Sequence, residues 1–236
     1  MNLKVLRTAL FAGLVALLLP ACDWMPGKPK KADAVVAPSA VTDFQQLYTQ
    51  NCLGCHGSGG IISGSIAMDD QTYLALVPPE KLREIIAAGV PGTLMPPFSQ
   101  ANGGLLTDEQ ITILVQGILA WKKADAPAGL PAYSAPPGSA AAGEPLYAAY
   151  VANLRLNADE GLFADGFLAN PAFLGLSSDQ YLRTLVITGR TELGIPNFQT
   201  ALSGQPLSDQ QISDLVAWLI SQRKNEFGKP LLPAKP

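Results

Sequence analysis

Histidine and cysteine are scarce in this chain of 236 residues, which contains one histidine and three cysteines. A single histidine excludes any metal site that needs two imidazoles from the same chain. Acidic residues outnumber basic ones by 19 to 16, which argues against a nucleic acid as the partner. Apart from a short stretch near the amino terminus, no apolar run approaches the roughly 20 residues that a membrane-spanning helix requires.

The only histidine follows two of the cysteines in the string Cys52-Leu53-Gly54-Cys55-His56. This is the attachment signature of a covalently bound c-type haem. Two thiols at this spacing can share one side of a helical turn and form thioethers to the two vinyl groups of one porphyrin. The adjacent imidazole is then carried beneath the iron as its proximal ligand.

Two other chemistries use a Cys-x-x-Cys pair. A redox dithiol needs no adjacent histidine, and it usually follows a strand in a βαβ unit, which the sequence does not indicate. A structural zinc site needs two further ligands, and Cys22 is the one cysteine that is left. The sequence therefore favours haem attachment over both alternatives.

The amino terminus has the organisation of a secretion signal. Lys4 and Arg7 precede an apolar run over residues 9–19, which is a signal-peptide core too short to span a bilayer. The run leads to Leu-Pro-Ala before Cys22, a string that resembles the lipobox of bacterial lipoproteins. In that family the chain is cut before the cysteine, whose sulfur and new amino group are acylated. The resemblance implies that residues 1–21 are a signal peptide and that Cys22 carries a lipid anchor.

An ordinary secretory cleavage near Ala21 is the alternative, but it would leave a lone thiol in an oxidising compartment. Several acyl chains on one residue give stable anchoring, and Asp23 resembles the inner-membrane retention signal of Gram-negative lipoproteins. We therefore expect the periplasmic side of a bacterial inner membrane, with the cell surface or outer membrane less favoured. Cleavage leaves 14 basic against 19 acidic residues, so the mature net charge is −5. This charge allows electrostatic steering toward a basic docking face, and solubility alone is the equal alternative.

Composition predicts how the mature chain is divided. Residues 22–40 are rich in Pro, Lys and Ala and predict a lipidated, extended tether, and residues 124–142 predict a Pro/Ala-rich linker. Two segments of about 80 residues remain, 41–123 and 143–223, followed by a tail over 224–236. We call these two segments the first copy and the second copy.

The two copies share one pattern. At a shift of 100 residues they align without gaps over residues 70–98, and one further residue of shift aligns 106–111 with 207–212. Internal similarity of this kind implies one fold used twice. Since no alternating strand pattern competes, we predict an all-α protein with two tandem domains.

The copies predict equivalent helices. Those of the first copy are predicted near residues 42–52, 79–88 and 108–123. Thr42 is the candidate N-cap of the first, Gly89 ends the second, and Thr107 with Gln110 forms a capping box at the third, as Ser208 does in the second copy. The positions predicted to face a core are Ile111, Leu114, Val115, Ile118 and Leu119, and in the second copy Ile212, Leu215, Val216 and Leu219.

The first copy resembles a class I c-type cytochrome domain, in which an N-terminal helix runs into the haem motif and a methionine loop precedes a C-terminal helix. The resemblance implies that Met95 is the distal iron ligand, 39 residues after His56. Two prolines that follow it restrict the loop, and a sulfur ligand raises the reduction potential relative to bis-histidine ligation. A methionine that only fills core space is the alternative, and Met68 is the competing ligand.

Many domains of this family carry a proline about where Ala67 and Met68 stand, and its carbonyl accepts the Nδ1 proton of the ligand histidine. That proline is missing here, so a backbone carbonyl near Ile66 or Ala67 is the candidate acceptor. Tyr73 and Trp121 are candidates for hydrogen bonds to a haem propionate, although core packing is the more common role of such aromatics.

The second copy has no haem ligands. Met95 aligns with Ile195, and residues 96–236 contain no cysteine, histidine or methionine. At a shift of 99 residues, the counterparts of the three haem-motif residues are Val151, Leu154 and Arg155. We therefore predict one covalent haem c per chain, and a second domain whose core is filled by other side chains. The candidates for that filling are Phe163, Phe167, Phe173 and Phe198.

The resemblance implies an electron carrier rather than an enzyme: a membrane-anchored mono-haem cytochrome of a bacterial respiratory or photosynthetic chain. The expected partners are redox proteins, namely a quinol-oxidising complex, a terminal oxidase or a reaction centre, and no small-molecule substrate is expected. The chain is either a free carrier or a subunit of a larger membrane redox complex. The alternatives are a haem enzyme or a gas or peroxide sensor with an open sixth coordination position, and a mainly structural subunit of a respiratory assembly.

Overall fold

The computed structural model describes residues 36–58, 65–157, 167–190 and 195–224. Within these ranges the regular structure is helical, with isolated β-bridges and no strand. In chain order the helices are α1 (Phe44–Asn51), α2 (Leu53–His56), α3 (Gln71–Leu76), α4 (Pro79–Ala88), α5 (Asp108–Leu119), α6 (Ala140–Asn157), α7 (Pro171–Leu176), α8 (Asp179–Thr188) and α9 (Asp209–Ser221). None of these described helices is both long and apolar enough to cross a membrane.

The chain divides into two units, residues 1–40 and residues 41–236. In the first unit, the described part contains a single 3₁₀ turn at Pro38–Ala40. The predicted signal peptide, the lipidation site at Cys22 and most of the tether lie outside the described residues. The second unit holds both copies of the repeat.

α1 begins later than the sequence predicted. Asp43, and not Thr42, is its N-cap, because the Asp43 carboxylate accepts the backbone N–H of Gln46 at 2.7 Å. Helical pairing is interrupted at Cys52 and resumes for one turn in α2. The haem motif therefore lies on a short helix of its own, immediately after α1.

The last helix of each copy begins as predicted. Thr107 and Gln110 form a capping box at α5, and Ser208 and Gln211 form the same box at α9. The predicted core positions of both helices are buried, except Leu119, which is partly exposed. α5 ends there, earlier than predicted, because the N–H groups of Trp121 and Lys122 donate to carbonyls three residues back in a tighter turn.

The first and last helices of each copy cross closely at a glycine. A Cβ at Gly117 of α5 would lie 2.1 Å from the ring of Phe44 of α1, and a Cβ at Gly143 of α6 would lie 2.7 Å from the Cβ of Trp218 of α9. The repeat aligns Phe44 with Gly143 and Gly117 with Trp218. The large and the small residue have thus exchanged helices between the copies, which preserves the volume available at the crossing.

The second unit contains two hydrophobic clusters, and each belongs mainly to one copy. The first cluster lies in the first copy and includes Leu47, Cys52 and Leu114, and the second cluster lies in the second copy and includes Tyr150, Phe198 and Leu215. Leu76 of α3 is the exception, since it is buried in the cluster of the second copy. Tyr133, from the predicted linker, packs against both clusters. The copies therefore share packing along the contact between α3 and α8.

The segment predicted as a linker, 124–142, forms hydrogen bonds with the second copy. The carbonyl of Ala132 accepts hydrogen bonds from Nε and Nη2 of Arg183 at 3.2 and 2.8 Å. The backbone N–H of Ala132 donates to the carboxylate of Asp209 at 3.2 Å. α6 begins at Ala140, inside the predicted linker. A low-complexity composition here accompanies fixed backbone contacts rather than a free tether.

Candidate functional site

The haem motif forms one helical turn that is held at its end. In α2 the backbone N–H groups of Cys55 and His56 donate to the carbonyl of Cys52 at 3.1 and 3.0 Å. The turn stops at Gly57, whose φ of +61° favours glycine. The hydroxyl of Tyr48, buried in α1, donates to the Gly57 carbonyl at 2.5 Å. α1 thereby fixes the point at which the chain leaves the motif.

The two thiols of the motif lie in different environments. Cys52 is buried in the first cluster, whereas Cys55 is exposed. Burial, and to a smaller extent the neighbouring Cys55, raises the pKa of the Cys52 thiol to about 12. A redox-active Cys-x-x-Cys pair depends on the opposite shift, so the structure does not support that alternative. In the described part of the chain, no three His, Cys, Asp or Glu side chains lie close enough together to hold a metal ion.

The His56 ring is fixed by one hydrogen bond, in which Nδ1 lies 3.0 Å from the carbonyl oxygen of Ile66. Because a carbonyl can only accept, Nδ1 carries the proton. Burial lowers the pKa of the imidazole below its usual value, and the bond to Ile66 opposes this shift in part. A neutral ring protonated at Nδ1 offers the Nε2 lone pair to a metal. Of the two acceptors considered from the sequence, Ile66 or Ala67, the structure uses Ile66.

Met95 lies on a loop that packs against the end of α4. The N–H of Val90 donates to the Met95 carbonyl at 3.0 Å, and the Met95 N–H donates to Oγ1 of Thr93 at 3.2 Å. A Cβ at Gly89, where φ is +68°, would lie 2.7 Å from the Met95 carbonyl oxygen. Gly89 therefore both ends α4, as predicted, and allows the methionine loop to approach the helix.

The competing candidates are packing residues. Met68 and Tyr73 are both buried in the first cluster. Trp121 packs edge-to-face on Tyr48, with ring centroids 4.8 Å apart. Among the methionines within the described ranges, Met95 is thus the one whose side chain is partly exposed.

In the second copy, the described residues on either side of 191–194 repeat the backbone contacts of the methionine loop. The N–H of Arg190 donates to the carbonyl of Ile195 at 2.9 Å, as Val90 does to Met95 in the first copy. A Cβ at Gly189 would lie 2.8 Å from the Ile195 carbonyl oxygen. Ile195 therefore occupies the position in the second copy that Met95 occupies in the first, in agreement with the alignment of the sequence.

The interior of the second copy contains part of the predicted filling. Phe198 is buried there and Phe173 is partly buried. Phe163 and the side chain of Phe167 lie outside the described residues. The same holds for the side chains of Leu154 and Arg155, whereas Val151 packs against the second cluster.

Two residues near the site were missed by the reasoning from sequence. No role was predicted for Tyr48, whose hydroxyl donates to the carbonyl of the glycine directly after the haem motif. Arg190 donates from Nη1 to the carbonyl of Ser65 at 2.6 Å. The sequence shows only that a charged residue stands where the first copy has the apolar Val90.

Residues 39–116 match the family model described as cytochrome C oxidase, cbb3-type, subunit III. The matched range contains the haem motif and Met95, and the match confirms the predicted resemblance to c-type cytochromes for this part of the chain. It supports a covalently bound haem c and a role in electron transfer. The chain matches no curated protein and no solved structure.

Proposed function

We propose that this chain is a lipid-anchored mono-haem cytochrome c that passes single electrons between redox proteins at a bacterial membrane. One observation carries the proposal: within a Cys-x-x-Cys-His turn, the Ile66 carbonyl holds Nδ1 of His56 and leaves Nε2 free to bind iron. The family match over residues 39–116 supports it independently of this geometry.

The residues of the first copy fit a covalent haem. Cys52 and Cys55 would form the thioethers, and His56 and Met95 would supply an axial nitrogen and an axial sulfur. When bound, the haem supplies the ferrous–ferric couple. His56 provides a neutral and oriented imidazole, and Gly89 keeps the Met95 loop against α4. Ligands held on fixed elements reorganise little between oxidation states, which favours an electron carrier over an enzyme with an open coordination position.

The second copy would carry no haem, since residues 96–236 lack cysteine, histidine and methionine. Cys22 would carry the lipid that keeps the chain on the periplasmic side of the inner membrane. The matched model is named for an oxidase subunit, which favours a respiratory assembly as the setting. The partners would be redox proteins there, such as a terminal oxidase or a quinol-oxidising complex.

A haem assay on the full-length protein, purified from bacterial membranes, tests the cofactor and the anchor together. We expect one haem per chain by pyridine haemochrome, and acylation of Cys22 by mass spectrometry of the amino terminus. Cys22→Ala should keep the haem but leave the membrane fraction, whereas Cys52→Ala should stay there and lose the double attachment. Zero or two haems per wild-type chain would overturn the proposal.

Isolation in mild detergent tests the proposed setting. The protein should co-purify with membrane redox subunits, and native membranes should reoxidise the reduced protein. Membranes from a strain without terminal oxidases serve as the control and should reoxidise it far more slowly. Equal rates with both membranes would contradict a place in a respiratory chain.

A further inference from the structure

Ser65 and Ile66 connect the haem motif to the second copy. The N–H of Ser65 donates to the carbonyl of Cys55 at 3.1 Å, and the carbonyl of Ile66 accepts Nδ1 of His56 at 3.0 Å. Between these two bonds, the Ser65 carbonyl accepts Nη1 of Arg190 at 2.6 Å. Two adjacent carbonyls of one short segment are thus hydrogen-bonded, one to the iron-ligand candidate and one to the second copy.

Arg190 is suited to hold a carbonyl in place. It is buried, directly after Gly189 at the end of α8, and lines a cleft of about 150 Å³ with Asp69 and Asp70. A guanidinium is planar and presents its donors in a fixed arrangement, unlike the flexible ammonium of lysine. A buried cation is retained only where partners compensate its lost hydration. The Ser65 carbonyl is one such partner.

The Ile66 carbonyl lacks the restraint that a following proline would give. The proline that resembling domains place about here is replaced by Ala67 and Met68. Proline would fix φ and thereby the neighbouring peptide plane. In this chain, the contact between Arg190 and Ser65 restrains that segment one residue before the acceptor.

We propose that Arg190 is a positioning residue for the iron ligand His56. By holding the Ser65 carbonyl, it restrains the peptide between Ser65 and Ile66 and thereby supports the hydrogen bond from Nδ1 of His56 to the Ile66 carbonyl. The copy without haem ligands thereby sets the reduction potential of the copy that has them. This inference rests on the proposed function, and it goes beyond it because it assigns the second copy a role at the iron.

The hydrogen bond at Nδ1 makes the imidazole a stronger electron donor. A stronger donor stabilises ferric iron more than ferrous iron, so weakening this bond should raise the potential. Arg190→Lys keeps the charge and loses the rigid donor geometry, which isolates this effect. Arg190→Met removes the charge as well, which itself changes the potential. The principal measurement for this variant is therefore the rate at which the His56 Nδ1 proton exchanges with solvent.

The experiment compares haem-loaded, full-length variants. In Arg190→Met we expect the His56 Nδ1 proton of the ferrous protein to exchange with solvent at least about tenfold faster by NMR, in line with the usual weight of outer-shell partners. In Arg190→Lys the midpoint potential should rise, by at most about 59 mV, which is a tenfold change in the ferrous-to-ferric ratio for one electron.

Arg223→Met is the matched control. Arg223 also donates to backbone carbonyls, those of Leu174 and Ser177 at 3.1 and 2.5 Å, and it pairs with Asp179. All of these partners lie in the second copy. Its loss should lower the unfolding temperature without changing the Nδ1 exchange rate or the potential.

The outcomes separate the inference from the proposed function. A wild-type protein without covalent haem would overturn both. Haem-loaded Arg190 variants with the exchange rate and potential of Arg223→Met would overturn this inference alone. A lower potential in Arg190→Met with an unchanged exchange rate would mean that Arg190 acts only as a charge, which also overturns positioning. If Arg190→Met does not fold, Arg190→Lys decides by the same two measurements.

Discussion

At the scale of single residues, two equivalent arginines of the repeat lie in different environments. Arg83 and Arg183 are equivalent in sequence and pair with the equivalent aspartates Asp108 and Asp209. The Arg183 side chain is 1% exposed, whereas that of Arg83 is 37% exposed. The difference arises because the Ala132 carbonyl of the linker segment covers Arg183 and accepts two of its N–H groups.

Replacing each of these arginines by methionine should therefore have unequal effects. Arg183→Met removes a buried guanidinium that donates to the Ala132 carbonyl, Ser213 and Asp209, and should lower the free energy of unfolding by about 1–3 kcal/mol. Arg83→Met removes a largely exposed ion pair and should cost less than about 1 kcal/mol. Urea denaturation measures both. Equal losses would mean that the linker segment does not cover Arg183 in solution.

The identity of the distal ligand is also a single-residue question. Met95→Ile gives the first copy the residue that the second copy has at this place, Ile195. Haem should remain attached through both thioethers, but the iron should lose its sulfur ligand, bind added cyanide readily, and have a lower midpoint potential. Absorption spectroscopy and redox titration measure these changes.

Met68→Leu is the control for that substitution, because Met68 is buried in the first cluster and a leucine there conserves volume. Its spectrum and potential should be those of the wild type. If Met95→Ile were spectroscopically unchanged, the assignment of Met95 would be wrong. A wild-type protein that already binds cyanide readily would favour the haem enzyme or sensor.

At the scale of elements, α4 and the methionine loop depend on one glycine. Gly89 and Gly92 both have positive φ, of +68° and +75°. A Cβ at Gly89 would meet the backbone of the loop at 2.6 Å, whereas a Cβ at Gly92 would meet nothing within 4 Å. The two positions therefore differ in whether an added methyl group would contact the loop.

Gly92→Ala should cost about 1–2 kcal/mol of unfolding free energy, the penalty for a left-handed conformation. Gly89→Ala should cost about 1–3 kcal/mol more, since its methyl group displaces the loop, and it should weaken the absorption band that marks sulfur ligation of ferric haem. Gly189→Ala meets the same contact beside Ile195 and should lose stability with an unchanged haem spectrum. An altered spectrum in Gly189→Ala alone would contradict the assignment of the ligand loop to the first copy.

The elements that the sequence predicted well are those with local signals. A capping box joins residues three apart, so Thr107 and Ser208 could be identified as caps without a structure. The predicted N-cap of α1 was wrong because Thr42 and Asp43 are both good caps. Only the hydrogen bond from Gln46 to Asp43 shows which of the two begins the helix. The contact between Arg190 and Ser65 joins residues 125 apart, and no local pattern signals a contact of that range.

At the scale of the whole molecule, the repeat is asymmetric where the copies meet. Leu76 of α3 is 6% exposed because it is buried in the cluster of the second copy, whereas its counterpart Leu176 is 48% exposed. Composition and periodicity predicted two domains joined by a linker, but they carry no information on which leucine is buried by the other copy. The contact between α3 and α8 supplies a physical reason for the copies to unfold together.

We therefore expect one cooperative unfolding transition for residues 41–236, with the haem absorbance and the far-ultraviolet ellipticity changing at the same urea concentration. Leu76→Ala should lower the unfolding free energy by about 2–5 kcal/mol and separate the two signals, since it removes a side chain that joins the clusters. Leu176→Ala should cost about 0.5 kcal/mol or less and keep the signals together. Separate transitions in the wild type would mean that the two copies unfold independently. The contact between the copies, and with it the influence of Arg190 on His56, would then exist only below the first of the two transitions.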